Sequence, residues 1–325
     1  MSTVAPLLQV RDLRVDFRRG GQRVQAVAGV TFDLWPGETL GVVGESGCGK
    51  STTGRAVVRV QASSGGTVVF DGVDLTSLRR EQLRRARTGI QMVFQDPLSS
   101  LNPRRRVRDI VAEPLDIWKK ATGADRRDVV DRMLVSVGLD PVAVGDRRPG
   151  QFSGGQCQRI SIARALVIEP RLLVCDEVVS ALDVSVQAQI LNLLEDLKSR
   201  YGLSLLFIAH DLAVVKAISD RVAVMYLGRL CEIAPAGALY LAPAHHYSAA
   251  LLQAASDPDP AAPRPVPLPG EPPSPINPPS GCRFRTRCPR AEPRCAAEVP
   301  HMREIAPGHA VACHFPLGGP PAPPA

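Results

Sequence analysis

Gly44-Glu45-Ser46-Gly47-Cys48-Gly49-Lys50-Ser51 is the stretch whose reading decides the fold. It follows the apolar run Thr39 to Val43 and opens a helix near Ser51, so it reads as a phosphate-binding loop between a strand and a helix. The glycines let the backbone curl until several N–H groups face one anion, and the helix adds the positive end of its dipole. The expected nucleotide-binding set is therefore Gly44, Ser46, Gly47, Cys48, Gly49, Lys50, Ser51 and Thr52. Lys50 would reach the β- and γ-phosphates, and the Ser51 hydroxyl would ligate Mg²⁺. The bland alternative is an ordinary glycine turn, and the flanking strand and helix argue against it.

Upstream, Val10, Leu13, Val15 and Phe17 predict a strand over Leu7 to Phe17, with a second over Val24 to Leu34. Phe17 stands where an aromatic face can stack on adenine; the alternative is a core or edge phenylalanine. Downstream, Gly65 to Asp71 reads as a strand, Ser77 to Arg87 as an arginine-rich helix, and Ile90 to Phe94 as a strand ending at Gln95. A glutamine there can touch a metal or the attacking water while its backbone leads into a moving segment.

The pattern is then helical from Pro97 to Pro149, with helices over Val107 to Trp118 and Asp125 to Val137. It closes on Ser153-Gly154-Gly155-Gln156 before the helical run Cys157 to Val167, a second helix start with bare amides. One nucleotide needs only one such start. Leu172 to Cys175 reads as a buried parallel strand that delivers Asp176 and Glu177 to a ligand crevice. Asp176 would hold Mg²⁺ through water, and Glu177 would polarise the water that attacks the γ-phosphate. A turn at Ser180 to Asp183 precedes the helix Ser185 to Ser199, and the strand Leu203 to Ala209 ends in His210. Alone, His210 reads as structural; beside Glu177, Gln95 and Lys50 it reads as a partner of the terminal phosphate. Val222 to Tyr226 and Arg229 to Ile233 form a hairpin across Leu227-Gly228, with a short helix near Gly237.

At 325 residues the chain can bury a full α/β core with an appendage. Its apolar runs fall short of the roughly 20 residues of a spanning helix, and its start lacks signal-peptide order, so a cytoplasmic protein is expected. Any membrane role must come through a partner. The net charge is +7 and the arginines cluster, but aromatic content is 4%, which leaves few platforms for bases. Solvated helix faces are the expected reading of the clusters, with no nucleic-acid partner.

Four of the eight cysteines, Cys48, Cys157, Cys175 and Cys231, are scattered and read as reduced and structural. The others, Cys282, Cys288, Cys295 and Cys313, follow a proline-rich run from Asp257 to Pro279 that reads as an extended linker. Four thiolates can hold zinc or an iron–sulfur cluster, or the thiols can pack free; the wide gaps favour a cluster over zinc.

With these features in order, Leu7 to Leu252 resembles the ATP-binding subunits of ABC transporters. The resemblance implies a phosphate-loop α/β core with a parallel sheet, an antiparallel β subdomain and a helical subdomain at about 96–152, together spanning 1–255. A linker over 256–281 and a Cys-rich extension over 282–325 would follow. It also implies a head-to-tail dimer in which Lys50 and Ser51 of one subunit and Ser153 and Gly155 of the other enclose one ATP. Asp183 would act across that interface, and Gln95 would connect the site to the membrane subunits.

A finer match lies in Val93 to Pro103, His246 to Leu252 and Pro273 to Phe284, which look like the oligopeptide and dipeptide importers, relatives of nickel importers. This implies a second, identical or homologous ATPase subunit, two membrane permeases and an extracytoplasmic solute-binding protein, with the chain at the cytoplasmic face of the membrane. It also implies a [4Fe-4S] cluster on the four late cysteines. Val178 stands where many such proteins have Pro, and Cys157 where Arg is usual; neither removes a catalytic group. Nickel transport is the nearest alternative. A soluble ABC ATPase of DNA repair, chromosome structure or translation fits poorly, because there is one cassette with a short insert. A regulator that binds ATP without using it is opposed by Glu177 and His210.

Overall fold

The apolar alternation near the start changes phase midway, from Leu8 and Val10 to Leu13 and Val15, yet all four side chains are fully buried. A bulge absorbs the shift. In the computed structural model, which describes residues 5–255, 270–319 and 322, pairing of strand Leu8–Arg19 with Gln22–Leu34 breaks between Val10 and Leu13, and Asp12 takes φ 47°. One extra residue thus returns the later apolar residues to the buried face, where each contributes roughly 1.5–3 kcal/mol. Gly66 on the other flank has φ +82°, and a Cβ there would lie 2.3 Å from the Asp12 carbonyl oxygen.

The chain divides into two units: Met1–Leu34, Thr39–Thr76 and Ile208–Ala325 in one, Trp35–Glu38 and Ser77–Phe207 in the other. The first holds the antiparallel sheet Gln22–Leu34, Leu8–Arg19, Gly65–Phe70, Val73–Asp74. It also holds a row of strands in the order Arg303–Ala306, His309–Val311, Arg229–Pro235, Arg221–Tyr226, Thr39–Val43. Thr39–Val43 is buried throughout and runs parallel to Arg221–Tyr226, so the loop that follows leaves a fixed strand end. The helix Lys50–Val57 follows at once.

In the second unit, Ile90–Val93 and Leu172–Asp176 pair in parallel, residue for residue from Ile90 with Leu172 to Val93 with Cys175. The helices Val107–Trp118, Gly123–Ser136, Gly154–Leu166 and Val184–Tyr201 belong here too. Val107, Ile110, Val111 and Leu115 are buried at helical spacing, which explains why this helix was legible to the residue. The arginine clusters of this unit meet carboxylates: Arg126 with Asp116 at 2.6 Å, Arg108 with Asp131 at 3.0 Å, Arg85 with Glu81 at 3.3 Å.

Outside the helical stretch 97–149, three helices escaped the sequence reading. Leu212–Ile218 starts directly on Asp211, whose carboxylate accepts the Ala213 amide at 2.7 Å, and it is too short to show a period. His246–Ala255 and Pro293–Ala297 are the others. Much of the expected proline-rich linker lies outside the described residues; 270–281 contains neither helix nor strand. The following stretch is folded, with a helix Pro293–Ala297 and a hairpin whose second strand pairs Val311 with Glu232 and Ala310 with Ile233.

Candidate functional site

The phosphate loop is held from within by Lys50. Only 4% exposed, its ammonium donates to the Gly44 carbonyl at 2.7 Å and the Glu45 carbonyl at 3.1 Å. The helix beyond starts on Gly49, which has φ +105° and provides no side-chain cap. A Cβ at Gly49 would lie 2.2 Å from the Ala26 carbonyl oxygen, so the turn admits only glycine. The first amides of the helix, at Lys50, Ser51 and Thr52, have no carbonyl a turn earlier to bond. With the ammonium they form the donor set that phosphate oxygens require. Ser46 and Gly47 are exposed at the loop tip. Burial pushes the Cys48 thiol up despite nearby Lys50, so it sits neutral beneath the loop.

The Glu45 side chain was not among the expected functional groups. Its amide donates to the Tyr247 hydroxyl at 2.9 Å, and its carboxylate takes both terminal nitrogens of Arg287, at 2.7 and 3.0 Å. His246 to Leu252, which holds Tyr247, stood out only as a family-like stretch, and Arg287 lies past the stretch Pro273 to Phe284; nothing in their periodicity names Glu45 as the shared target. In this unit Phe17 is 38% exposed on its strand, which excludes a core role, and His210 is exposed past the strand Ser204–Ile208.

In the other unit, the structure brings Gln95 and Glu177 together. The Gln95 amide Nε2 donates to Glu177 Oε2 at 2.8 Å. Asp176, the last residue of its strand, is 1% exposed, and Glu177 beyond it adopts φ 52°. A left-handed backbone at a non-glycine residue is held by its surroundings, here including the bond from the Ser180 amide to the Glu177 carbonyl at 3.2 Å. Val178 is buried beside it.

Ser153 caps the helix Gly154–Leu166 by a reciprocal box: its hydroxyl accepts the Gln156 amide at 3.3 Å, and the Gln156 side chain accepts the Ser153 amide at 3.1 Å. Ser153, Gly154 and Gln156 are exposed, as is Asp183 at the start of Val184–Tyr201. Cys157, where arginine was the usual residue, is buried with its thiol 3.5 Å from the Pro149 carbonyl oxygen.

The iron–sulfur expectation is corrected. Among the described residues no three His, Cys, Asp or Glu side chains form a group able to hold a metal ion. All eight cysteines are free thiols. Burial pushes Cys282 to about 11 and Cys313 to about 12, so both are neutral thiols in the metal-free chain. The stretch is held by other means. Cys313 packs with Ala244, Val311 and Ile305, the Cys282 amide donates to the Cys295 carbonyl at 2.8 Å, and Phe284 is buried against Tyr226 and Tyr247.

Residues 27–180 match the family described as ABC transporter, and residues 231–295 match the oligopeptide/dipeptide transporter C-terminal region. The oligopeptide transport ATP-binding protein OppF of Salmonella typhimurium is 52% identical over 94% of this chain and 95% of its own. OppF of Escherichia coli is 51% identical, again over 94% and 95%. Among solved structures, the dimeric ATP-binding cassette MJ0796 bound to ADP and Pi is 26% identical, covers 70% of this chain and 98% of its own, and has a TM-score of 0.65. CbiO1 of Clostridium perfringens, part of an ABC transporter complex, is 27% identical, covers 73% and 91%, and has a TM-score of 0.66. A phosphate loop on a parallel strand, a capped Ser-Gly-Gly-Gln helix start and half of all residues shared over nearly the whole length lead to one conclusion: this chain belongs to the ABC transporter ATP-binding proteins, in the oligopeptide transport group.

Proposed function

We propose that this protein is the ATP-hydrolysing subunit of an importer for oligopeptides. The observation that carries this reading is the match to oligopeptide transport ATP-binding proteins along 94% of the chain. Those names favour peptides over nickel as cargo. No helix among the described residues is long and apolar enough to cross a membrane, so the passage for cargo belongs to partners: two permeases, supplied by an extracytoplasmic binding protein.

The loop amides and Lys50 would cradle the β- and γ-phosphates, with Phe17 against the adenine. The Ser51 hydroxyl and the Asp176 carboxylate are hard oxygen donors of the kind Mg²⁺ takes, and the ion, when bound, would neutralise charge on the phosphates. Glu177 orients and deprotonates the attacking water, His210 hydrogen-bonds the γ-phosphate, and Gln95, already bonded to Glu177, reports the state of the site to the permeases. Ser153 to Gln156 and Asp183 lie on the surface, which supports their meeting a nucleotide held by a second subunit. The MJ0796 cassette is a dimer with bound ADP and Pi, and supports the same arrangement.

The test is reconstitution of the full chain with candidate permeases and binding protein in vesicles. Oligopeptide should stimulate ATP hydrolysis and accumulate inside, and nickel should do neither. Stimulation by nickel and not by peptide would overturn the cargo assignment.

A further inference from the structure

Arg287 comes from the C-terminal stretch, yet it grips a residue of the phosphate loop 242 positions earlier. Its side chain is 5% exposed, and both terminal nitrogens meet the Glu45 carboxylate in fork-on-fork geometry. The guanidinium lies 5.8 Å from the Tyr226 ring centroid and donates to the Tyr226 hydroxyl at 3.4 Å. Tyr226, Tyr247 and Phe284 pack ring against ring with centroids 4.6 to 5.3 Å apart, a rigid seat for the pair. The polar groups of Glu45 are all engaged: the amide by Tyr247, the carboxylate by Arg287, the carbonyl by Lys50.

We propose that Arg287 is a positioning residue for the ATP site, whose paired contact with Glu45 holds the phosphate loop in its curled, amide-inward form before nucleotide arrives. The proposal rests on the ATPase reading above. Simple anchoring of the C-terminal stretch is the competing role, and Arg283 already performs it by donating to the Leu227 carbonyl and to Gln25 Oε1. Arg287 instead holds a loop residue beside the phosphate-binding amides. A loop left free must be ordered by the nucleotide itself, which weakens ATP binding and leaves the chemical step alone.

The experiment uses the full chain as Arg287→Gln, Glu45→Gln and the double variant, with ATPase kinetics and equilibrium binding of a non-hydrolysable ATP analogue. Each single variant should raise KM and the analogue Kd about tenfold with kcat within about twofold, and the double should be no worse than either single. If Arg287→Gln fails to fold, Glu45→Gln, which keeps the side chain's size, gives the reading. Wild-type KM and Kd in Glu45→Gln overturn the proposal, and so do losses that multiply in the double variant. A wild-type chain that hydrolyses no ATP even with permeases defeats the ATPase reading instead, and the analogue Kd still decides the role of Arg287.

Discussion

Gln95 and Glu177 share a hydrogen bond of 2.8 Å just beyond the ends of two paired parallel strands, Ile90–Val93 and Leu172–Asp176. The pairing register aligns Val93 with Cys175, so each residue stands two places beyond a matched pair. The amide occupies one oxygen of the carboxylate proposed to activate water. A change at either residue should therefore be felt by the other.

Glu177→Gln should keep ATP affinity within about threefold and lower hydrolysis by roughly 10²–10⁴-fold, the usual contribution of a general base. Gln95→Ala should lower hydrolysis less, about tenfold, and add little in the double variant. Phosphate release in single-turnover assays measures both. Wild-type turnover in Glu177→Gln would remove that residue from the mechanism.

Lys50→Ala should weaken ATP binding roughly 10–100-fold, the range of charge-assisted hydrogen bonds lost to phosphate. The buried Gly44 carbonyl and the part-buried Glu45 carbonyl lose their donor as well, so the midpoint of thermal unfolding should also drop. Calorimetric titration with ATP and a melting curve separate the two effects.

Burial, with His246 nearby, pushes the His245 imidazole from 6.5 down to about 3. Its Nδ1 accepts the Tyr247 amide at 3.0 Å, a bond that needs the neutral ring. Below pH 6.5 the unfolded chain takes up a proton that the folded chain refuses until about pH 3, so stability is full above this window and falls as pH drops through it. The slope is about 1.4 kcal/mol per pH unit. His245→Asn keeps an acceptor and loses the titration. Urea unfolding at about pH 6.5 and about pH 5 should show wild type losing about 2 kcal/mol more than the variant.

Gly66→Ala should destabilise the fold by about 2–5 kcal/mol. The left-handed backbone at Gly66 accounts for roughly 1–2 of this, and the forced approach of a Cβ to the Asp12 carbonyl for the remainder. Alanine at the solvent-facing Gly72, also at positive φ but with open space around it, should show only the first part. Equilibrium denaturation of the two variants tests the difference.

Much of the fold was legible where chemistry and periodicity coincide. The strand Thr39–Val43 and the helix Val107–Trp118 appear with the expected bounds, because an all-apolar run and a helical stripe leave little ambiguity. Leu212–Ile218 was hidden by its length, and the C-terminal hairpin by its sparse apolar content. The cysteines misled for a related reason: spacing counts thiols but cannot say whether their sulfurs take up a metal-holding arrangement, and among the described residues none do.

What the sequence by itself determined is the run of residues on which the proposed nucleotide chemistry rests. A phosphate cradle needs consecutive amides, a lysine and a hydroxyl in one short run, and such local requirements are written contiguously as Gly44 to Ser51. What only the tertiary structure decided is who steadies that cradle. Arg287 and Tyr247 reach Glu45 from positions 242 and 202 residues away, and a contact of that range depends on how buried side chains pack, which no period along the chain encodes.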